Sequence, residues 1–151
     1  MSRNRLSSKC PGSGGDQESI SMFDFTHIKK QALSRPKSEF PNNKVMASVA
    51  LLGNSRFVGF NNFKTHPSML KMCRDSSIES CSCNHAEVSA LAKVPRQCRH
   101  KIELYVMRFL ANGSVSMAKP CSRCEKYLQE NDVDFRNVFY TDWNGEWVSL
   151  R

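Results

Sequence analysis

Two short stretches, far apart in the sequence, carry side chains that can bind one metal ion. Cys121 and Cys124 stand three residues apart at the start of a predicted helix, so they project from nearly the same face. The positive N-terminal end of a helix favours thiolate over thiol. His85 opens another predicted helix and would add an imidazole to the two thiolates. Three protein ligands leave the fourth tetrahedral position of zinc open for water, which is typical of a catalytic site.

Glu87 follows His85 by two residues, in the stretch HAEVSAL. On an ideal helix these two side chains would point to different sides, so they can serve one metal only above the open end of the helix. We therefore expect His85 to bind the ion and Glu87 to shuttle protons beside it. Each feature alone has a simpler explanation, because redox pairs share the Cys-x-x-Cys spacing and the helix dipole favours a carboxylate in the first turn. The four residues together favour metal-assisted hydrolysis.

The hydrophobic pattern predicts an alternation of helices and strands. Helical spacing of apolar residues precedes Pro36, and continuous or alternating apolar runs bounded by turn residues indicate strands. The resulting order is α, β, β, α, β, α, β, β, and this order predicts an α/β sandwich in which helices cover both faces of one mixed sheet. The predicted helices are 25–33, 85–93 and 120–131, the strands are 44–52, 56–60, 101–110, 134–142 and 146–150, and a long polar loop covers 61–84.

The length of 151 residues suits one domain, which we expect to span residues 21–151. Residues 1–20 are rich in Gly, Ser and Pro and lack the apolar core of a secretory signal, so we interpret them as a flexible N-terminal extension. No run reaches the roughly 20 apolar residues of a membrane span. We expect a cytoplasmic protein that does not bind membranes.

Charge and cysteine content narrow the choice of partners. The formal net charge of +8 favours an anionic partner, although it is equally consistent with a solvated basic surface. Seven cysteines without a secretion signal indicate thiols or metal ligands rather than a disulfide framework. His66, Cys73, Cys81 and Cys83 offer enough nitrogen and sulfur for a second, structural zinc, or the cysteines could simply pack as small hydrophobes.

A histidine, a glutamate two residues later and a downstream Pro-Cys-x-x-Cys form the signature of zinc-dependent base deaminases. Through HAEVSAL (85–91) and KPCSRC (119–124), the chain resembles the cytidine and deoxycytidylate deaminase superfamily. The stretch VGFNNFKTHP (58–67) is similar to the segment before the histidine helix in small deoxycytidylate deaminases, many of them from bacterial viruses. The resemblance implies a three-layer α/β/α sandwich with a five-stranded mixed sheet, and a substrate site that includes Asn61, Ala86 and Pro120.

This resemblance predicts an enzyme that binds zinc through His85, Cys121 and Cys124 and removes the amino group of a cytosine nucleotide, with Glu87 as proton shuttle. A histidine at position 85 is closer to the nucleotide and nucleic-acid branches, because free-cytidine deaminases usually carry cysteine there. The preferred substrate is deoxycytidylate (dCMP), and we expect a homo-oligomer.

Two other classes of function stay open. A nucleic-acid base deaminase would use basic and aromatic residues to hold a single strand, namely Arg96, Arg99, Lys101, Trp143 and Trp147, although strand packing is the simpler role for both tryptophans. A non-catalytic nucleotide-binding relative is the third class, and the presence of Glu87 speaks against it.

Overall fold

The computed structural model describes residues 25–64, 66–77 and 85–151. Helices and strands alternate through these residues, and short 3-10 turns join several of them. The helices are α1 (Thr26–Leu33), α2 (Pro67–Asp75), α3 (Ala86–Ala92) and α4 (Ser122–Glu130). The strands are β1 (Val45–Leu52), β2 (Ser55–Phe60), β3 (Glu103–Phe109), β4 (Val115–Ser116), β5 (Val138–Thr141) and β6 (Trp147–Ser149).

The strands form one open mixed sheet. Five of them follow the order β2-β1-β3-β5-β6, and the two-residue strand β4 pairs with β3 beside this path. Only β3 and β5 run parallel among the described pairs, and the other neighbours are antiparallel. The prediction of an α/β protein with a mixed sheet is therefore confirmed, whereas β4 was not predicted.

Alternation along β1 divides the hydrophobic core into two clusters. Val45, Ala47, Val49 and Leu51 pack with Ile28 of α1 in the first cluster. The intervening residues Ala50 and Leu52 belong to a second cluster that contains Val88 of α3 and both Cys124 and Leu128 of α4. Because successive side chains of a strand point to opposite faces, the second cluster marks the face of the sheet on which α3 and α4 pack.

A glycine in β2 allows α3 to approach the sheet closely. A methyl group added at Gly59 would overlap the backbone nitrogen of Ala90 and would lie 2.7 Å from the backbone carbon of Ser89. No side chain larger than hydrogen fits here without movement of α3 or β2. This contact fixes the position of the helix whose first turn carries Glu87.

The region predicted as a polar loop at 61–84 contains a helix instead, so that part of the prediction is wrong. Helix α2 starts with Pro67 at a favourable position, and the side chain of His66 accepts a hydrogen bond from the backbone N–H of Ser68. Met69 and Cys73, four residues apart, are buried on one face of the helix. The proposed extension at 1–20 lies outside the described residues.

None of the described helices has the length and apolar character needed to cross a membrane.

Candidate metal centre

His85 lies immediately before the first residue of α3. Its backbone is extended (φ −88°, ψ 155°), and its carbonyl oxygen accepts a hydrogen bond from the N–H of Ser89 at 3.1 Å. The imidazole is therefore attached to the N-cap and not to the helix proper. This position removes the geometric conflict of two side chains at i and i+2 on one ideal helix, because only Glu87 is a helical residue.

Cys121 occupies the equivalent N-cap position of α4, and Cys124 is the third residue of that helix. The carbonyl oxygen of Cys121 accepts a hydrogen bond from the N–H of Glu125 at 2.9 Å. The helix thus begins at Ser122, two residues later than predicted, and the buried Pro120 precedes the cap instead of opening the first turn. Both ligand-bearing segments place their polar side chains at the positive end of a helix dipole.

The structure brings the three predicted ligands together. The Nδ1 atom of His85 lies 3.1 Å from the sulfur of Cys124 and 3.5 Å from the sulfur of Cys121. All three ligand atoms lie within 4.8 Å of one another, and they are the only such group of three found in the described part of the chain. Ordinary zinc–ligand distances in a tetrahedral site imply separations of about 3.6 Å between nitrogen and sulfur and about 3.8 Å between sulfurs. The observed nitrogen–sulfur separations are near or somewhat below these values, so the three residues lie close enough to hold a metal ion, and their ligand types are compatible with zinc.

Charge in the site also suits a cation. Hydrogen bonding to Cys124, followed by hydrogen bonding to His85, lowers the pKa of the Cys121 thiol to about 3, against the opposing effect of burial. Hydrogen bonding to Cys121 in turn raises the pKa of His85. The low pKa of Cys121 keeps its thiolate available as a ligand, and a bound cation would compete with a proton for the nitrogen of His85.

Arg123, which the sequence analysis did not single out, lies between the two cysteines in the sequence. Its positive charge is a minor influence that lowers the pKa of His85. A cation in the first turn of a helix near two sulfur ligands is a signal that the sequence contained and that was not used.

Glu87 is almost completely buried, with 3% of its surface exposed. Burial raises the pKa of this carboxyl, while a hydrogen bond from its own backbone N–H and the charge of His85 act in the opposite direction. A buried carboxyl with a raised pKa, two residues from a candidate metal ligand, is suited to take up and return a proton.

Asn61, Ala86 and Pro120 are all buried. Ala86 directly follows His85, and Pro120 directly precedes Cys121. The side-chain amide of Asn61 links the end of β2 to the start of β1. Its Oδ1 accepts from the N–H of Met46 at 3.1 Å, and its Nδ2 donates to the carbonyl oxygen of Lys44 at 2.7 Å. An amide has one further hydrogen and one further lone pair for a ligand, so the binding role of Asn61 stays a prediction.

The predicted second zinc site is not assembled by its described members. His66 is engaged at the start of α2, where its Nδ1 lies 2.8 Å from the hydroxyl of Ser68. Cys73 is a free thiol with 1% exposure inside the hydrophobic core. The other two predicted ligands, Cys81 and Cys83, lie outside the described residues.

Cys98 departs from the expectation that the cysteines are thiols or metal ligands. It is buried and disulfide-bonded. Its neighbours in sequence, which form a 3-10 turn at 96–101, gave no signal of this bond.

The residues predicted for nucleic-acid binding differ in exposure. Arg99 is buried, and its guanidinium donates to the carbonyl oxygen of Val94 at 3.1 Å and to the side-chain oxygen of Asn131 at 2.6 Å. Trp147 packs against Phe25 and Tyr105, as expected for a core residue, whereas Trp143 is 71% exposed and does not have the packing role we expected. Arg96 and Lys101 are exposed.

Comparisons of the chain with protein-family models, curated proteins and solved structures found no match. Fold and site together define an α/β protein in which one histidine and two cysteines, at the starts of two helices, can hold a metal ion.

Proposed function

We propose that the chain is a zinc-dependent hydrolytic deaminase that converts a cytosine nucleotide, most specifically dCMP, to the uracil nucleotide and ammonia. The observation that carries the proposal is the grouping of His85, Cys121 and Cys124 within 4.8 Å, with the buried Glu87 two residues after His85. These four residues match the signature of zinc base deaminases. We further propose that the mixed sheet and its helices form the three-layer sandwich that the resemblance implies.

His85, Cys121 and Cys124 would hold the zinc ion. When bound, zinc supplies a Lewis acid that makes water a stronger nucleophile near neutral pH. Glu87 accepts a proton on a carboxylate oxygen, and its raised pKa lets it return the proton to the leaving amino group. In the net reaction the oxygen of water bonds to C4 of the base, the C4–N bond breaks, and the amino group leaves as ammonia.

Burial of Glu87 supports this role over a purely structural one. A carboxylate can interact favourably with a helix dipole while it stays exposed to solvent. Burying the charged carboxylate, by contrast, costs free energy. Glu87 has 3% exposure, and its pKa is raised mainly because of this burial. A catalytic proton carrier has a reason to sit in such an environment.

The test is ammonia release from dCMP, deoxycytidine and a cytosine-containing single strand by the zinc-loaded protein. The Glu87→Gln variant keeps the size of the side chain and removes its proton-carrying group, so we expect it to lose at least about a hundredfold in rate. Glu39→Gln, at an exposed acid in a 3-10 turn, is the matched control and should keep full activity.

Rapid release from dCMP that disappears with Glu87→Gln would support the nucleotide enzyme. Release that persists in Glu87→Gln would contradict the role of the carboxyl. If zinc binds but no substrate reacts, the non-catalytic binding protein becomes the better interpretation.

One observation favours the nucleic-acid alternative. A groove of about 760 Å³ lies between α1, β2 and the end of α3, and its described lining contains four basic residues and no acidic one. The basic residues are His27, Arg35, Arg56 and Lys93. The guanidinium of Arg35 also lies 5.0 Å from the ring centre of Phe60, which places charge beside an aromatic surface. Such a groove suits the phosphate backbone of a single strand.

Lys93 caps the end of α3, and His85 caps its start, so the groove and the metal centre are at opposite ends of one helix, roughly 10 Å apart. A strand bound in the groove would have to cross this distance to present a base to Glu87. Salt-sensitive binding of a single strand that is weakened by Arg35→Met would favour the nucleic-acid enzyme. Unchanged binding would leave the free nucleotide as the substrate.

A further inference from the structure

Arg108 carries a buried polar atom that has no partner. Its Nε is buried and makes no hydrogen bond, while the residue as a whole is half-buried in β3. The ion pairs found among the described residues are Lys71–Asp75, Lys126–Glu130 and Arg136–Asp134, and none involves Arg108. Burying part of a guanidinium without a partner costs free energy, so such a group calls for an explanation in the function of the protein.

Alternation along β3 places Arg108 on the face of the sheet that carries the metal centre. Leu104 and Val106 belong to the core cluster that includes Val88 and Cys124. Arg108 is the next residue of the same parity, near the carboxyl end of the strand. Open α/β sheets commonly bind ligands beyond the carboxyl ends of their strands.

The two strand neighbours of Arg108 connect it to the candidate site. On one side it is opposite Met46, whose N–H is bonded to the side chain of Asn61. On the other side it is opposite Ser116, from which the chain continues to Pro120 and Cys121. Arg108 thus lies between a predicted substrate residue and the segment that leads to a metal ligand.

One other buried polar side-chain atom in the described chain has no partner, the hydroxyl oxygen of Ser48. Ser48 faces Val106 across the β1–β3 ladder, so it is a diagonal neighbour of Arg108 on the same face. Ser48 is completely buried, whereas Arg108 as a whole is only half-buried. Of these two residues, only Arg108 keeps some surface exposed to solvent.

We propose that Arg108 binds the 5′-phosphate of the nucleotide substrate and so gives the site its preference for nucleotides over nucleosides; this inference rests on the proposed function. A guanidinium is charged at all relevant pH values and can bind two phosphate oxygens through parallel hydrogen bonds. The phosphate is the one strongly anionic group that distinguishes dCMP from deoxycytidine. Binding it would give the unpaired donor of Arg108 an acceptor on the face of the sheet that carries the metal centre.

The first experiment compares kcat/KM for dCMP and for deoxycytidine in Arg108→Met and in the matched control Lys30→Met. Lys30 is an exposed cation of α1 outside the site, so its variant corrects for the loss of one surface charge. Arg108→Met should lower kcat/KM for dCMP by about 10- to 100-fold and change the value for deoxycytidine by less than about twofold. Lys30→Met should change neither. An equal loss for both substrates, or no loss for dCMP, overturns the proposal.

The second experiment measures phosphate binding without catalysis. Inorganic phosphate should raise the Tm of the wild-type protein and leave that of Arg108→Met unchanged, with circular dichroism to verify that the variant is folded. Arg108→Lys should bind phosphate more weakly than wild type, because an ammonium group cannot form the bidentate pair. The same rise in Arg108→Met as in wild type contradicts the inference.

These measurements separate the inference from the proposed function. If the wild-type protein deaminates neither substrate, yet phosphate stabilises it and not Arg108→Met, the deaminase proposal fails and the phosphate site stands. If dCMP is deaminated but Arg108→Met affects neither selectivity nor phosphate binding, the enzyme stands and the role of Arg108 is wrong.

Discussion

The Nδ1 atom of His85 lies 3.1 Å from the sulfur of Cys124, although 39 positions separate the two residues in the sequence. The contact joins the starts of α3 and α4, which both pack on the same core cluster. Because neither residue makes a metal site alone, the centre depends on the fold that brings the two helix starts together.

Removing one ligand should remove the metal. Cys124→Ala leaves one thiolate and one imidazole, and we expect zinc affinity to fall by about a hundredfold or more. Cys73→Ala is the matched control, because Cys73 is also a buried free thiol but lies outside the centre. It should keep one zinc per chain and lose only stability, by about 1 to 3 kcal/mol. The measurement is metal content after dialysis against a weak chelator.

Equal loss of zinc from Cys73→Ala and Cys124→Ala would contradict this assignment. It would instead support the second zinc site that the sequence analysis placed on His66, Cys73, Cys81 and Cys83.

Chelation should lower the thermal stability of the protein. A metal that binds only the folded chain stabilises it by mass action, by about 4 kcal/mol when its concentration is a thousandfold above Kd. For a domain of this size we therefore expect a strong chelator to lower Tm by about 10 °C. The same chelator should leave the Tm of Cys124→Ala almost unchanged. A similar fall in both proteins would show that the chelator does not act through this centre.

The candidate ligands could be predicted from sequence because each stands next to a recognisable helix start. His85 and Cys121 both precede the first helical residue, and the helix patterns that follow them are strong enough to locate these positions within two residues. The spacing of Cys121 and Cys124 further restricts the chemistry to metal binding or redox exchange. Distance between the two motifs was not available from sequence, because it depends on how the intervening strand joins the sheet.

The sequence pattern predicted the wrong structure or role where a stronger local feature masked the relevant residues. The sequence around helix α2 predicts a loop because polar residues dominate it, although Met69 and Cys73 are spaced four apart. The strand pattern at 101–110 predicts no role for Arg108, although a charge at a position of buried parity is a signal of one. The exposure of Trp143 depends on the turn between β5 and β6, which alternation alone does not define.

Gly59→Ala should destabilise the protein and disturb the metal centre. The added methyl group would overlap the backbone of Ala90, so α3 must move away from β2 or the strand must bend. We expect a loss of about 2 to 4 kcal/mol in the free energy of unfolding, and weaker zinc binding because His85 caps the displaced helix. Ser55→Ala, at an exposed position on the same strand, should change stability by less than about 0.5 kcal/mol.

Urea denaturation and zinc titration of both variants provide the measurement. A Gly59→Ala protein as stable as wild type would show that the approach of α3 to β2 is not as close as described.

Arg99→Met should reduce stability without reducing binding of a single strand. The guanidinium of Arg99 joins the carbonyl oxygen of Val94 to the side chain of Asn131 on the end of α4, and its loss leaves these acceptors without their donor. Hydrogen bonds to a charged donor predict a cost of about 1.5 to 3 kcal/mol in the free energy of unfolding. Arg96→Met, three residues earlier and exposed, is the matched control and should leave stability within about 0.5 kcal/mol of wild type.

Urea denaturation measures the loss of stability, and the salt dependence of single-strand affinity measures the binding. A folded Arg99→Met protein with a smaller salt slope than wild type would mean that the buried arginine reaches the nucleic acid after all, because each lost phosphate contact reduces that slope by about one.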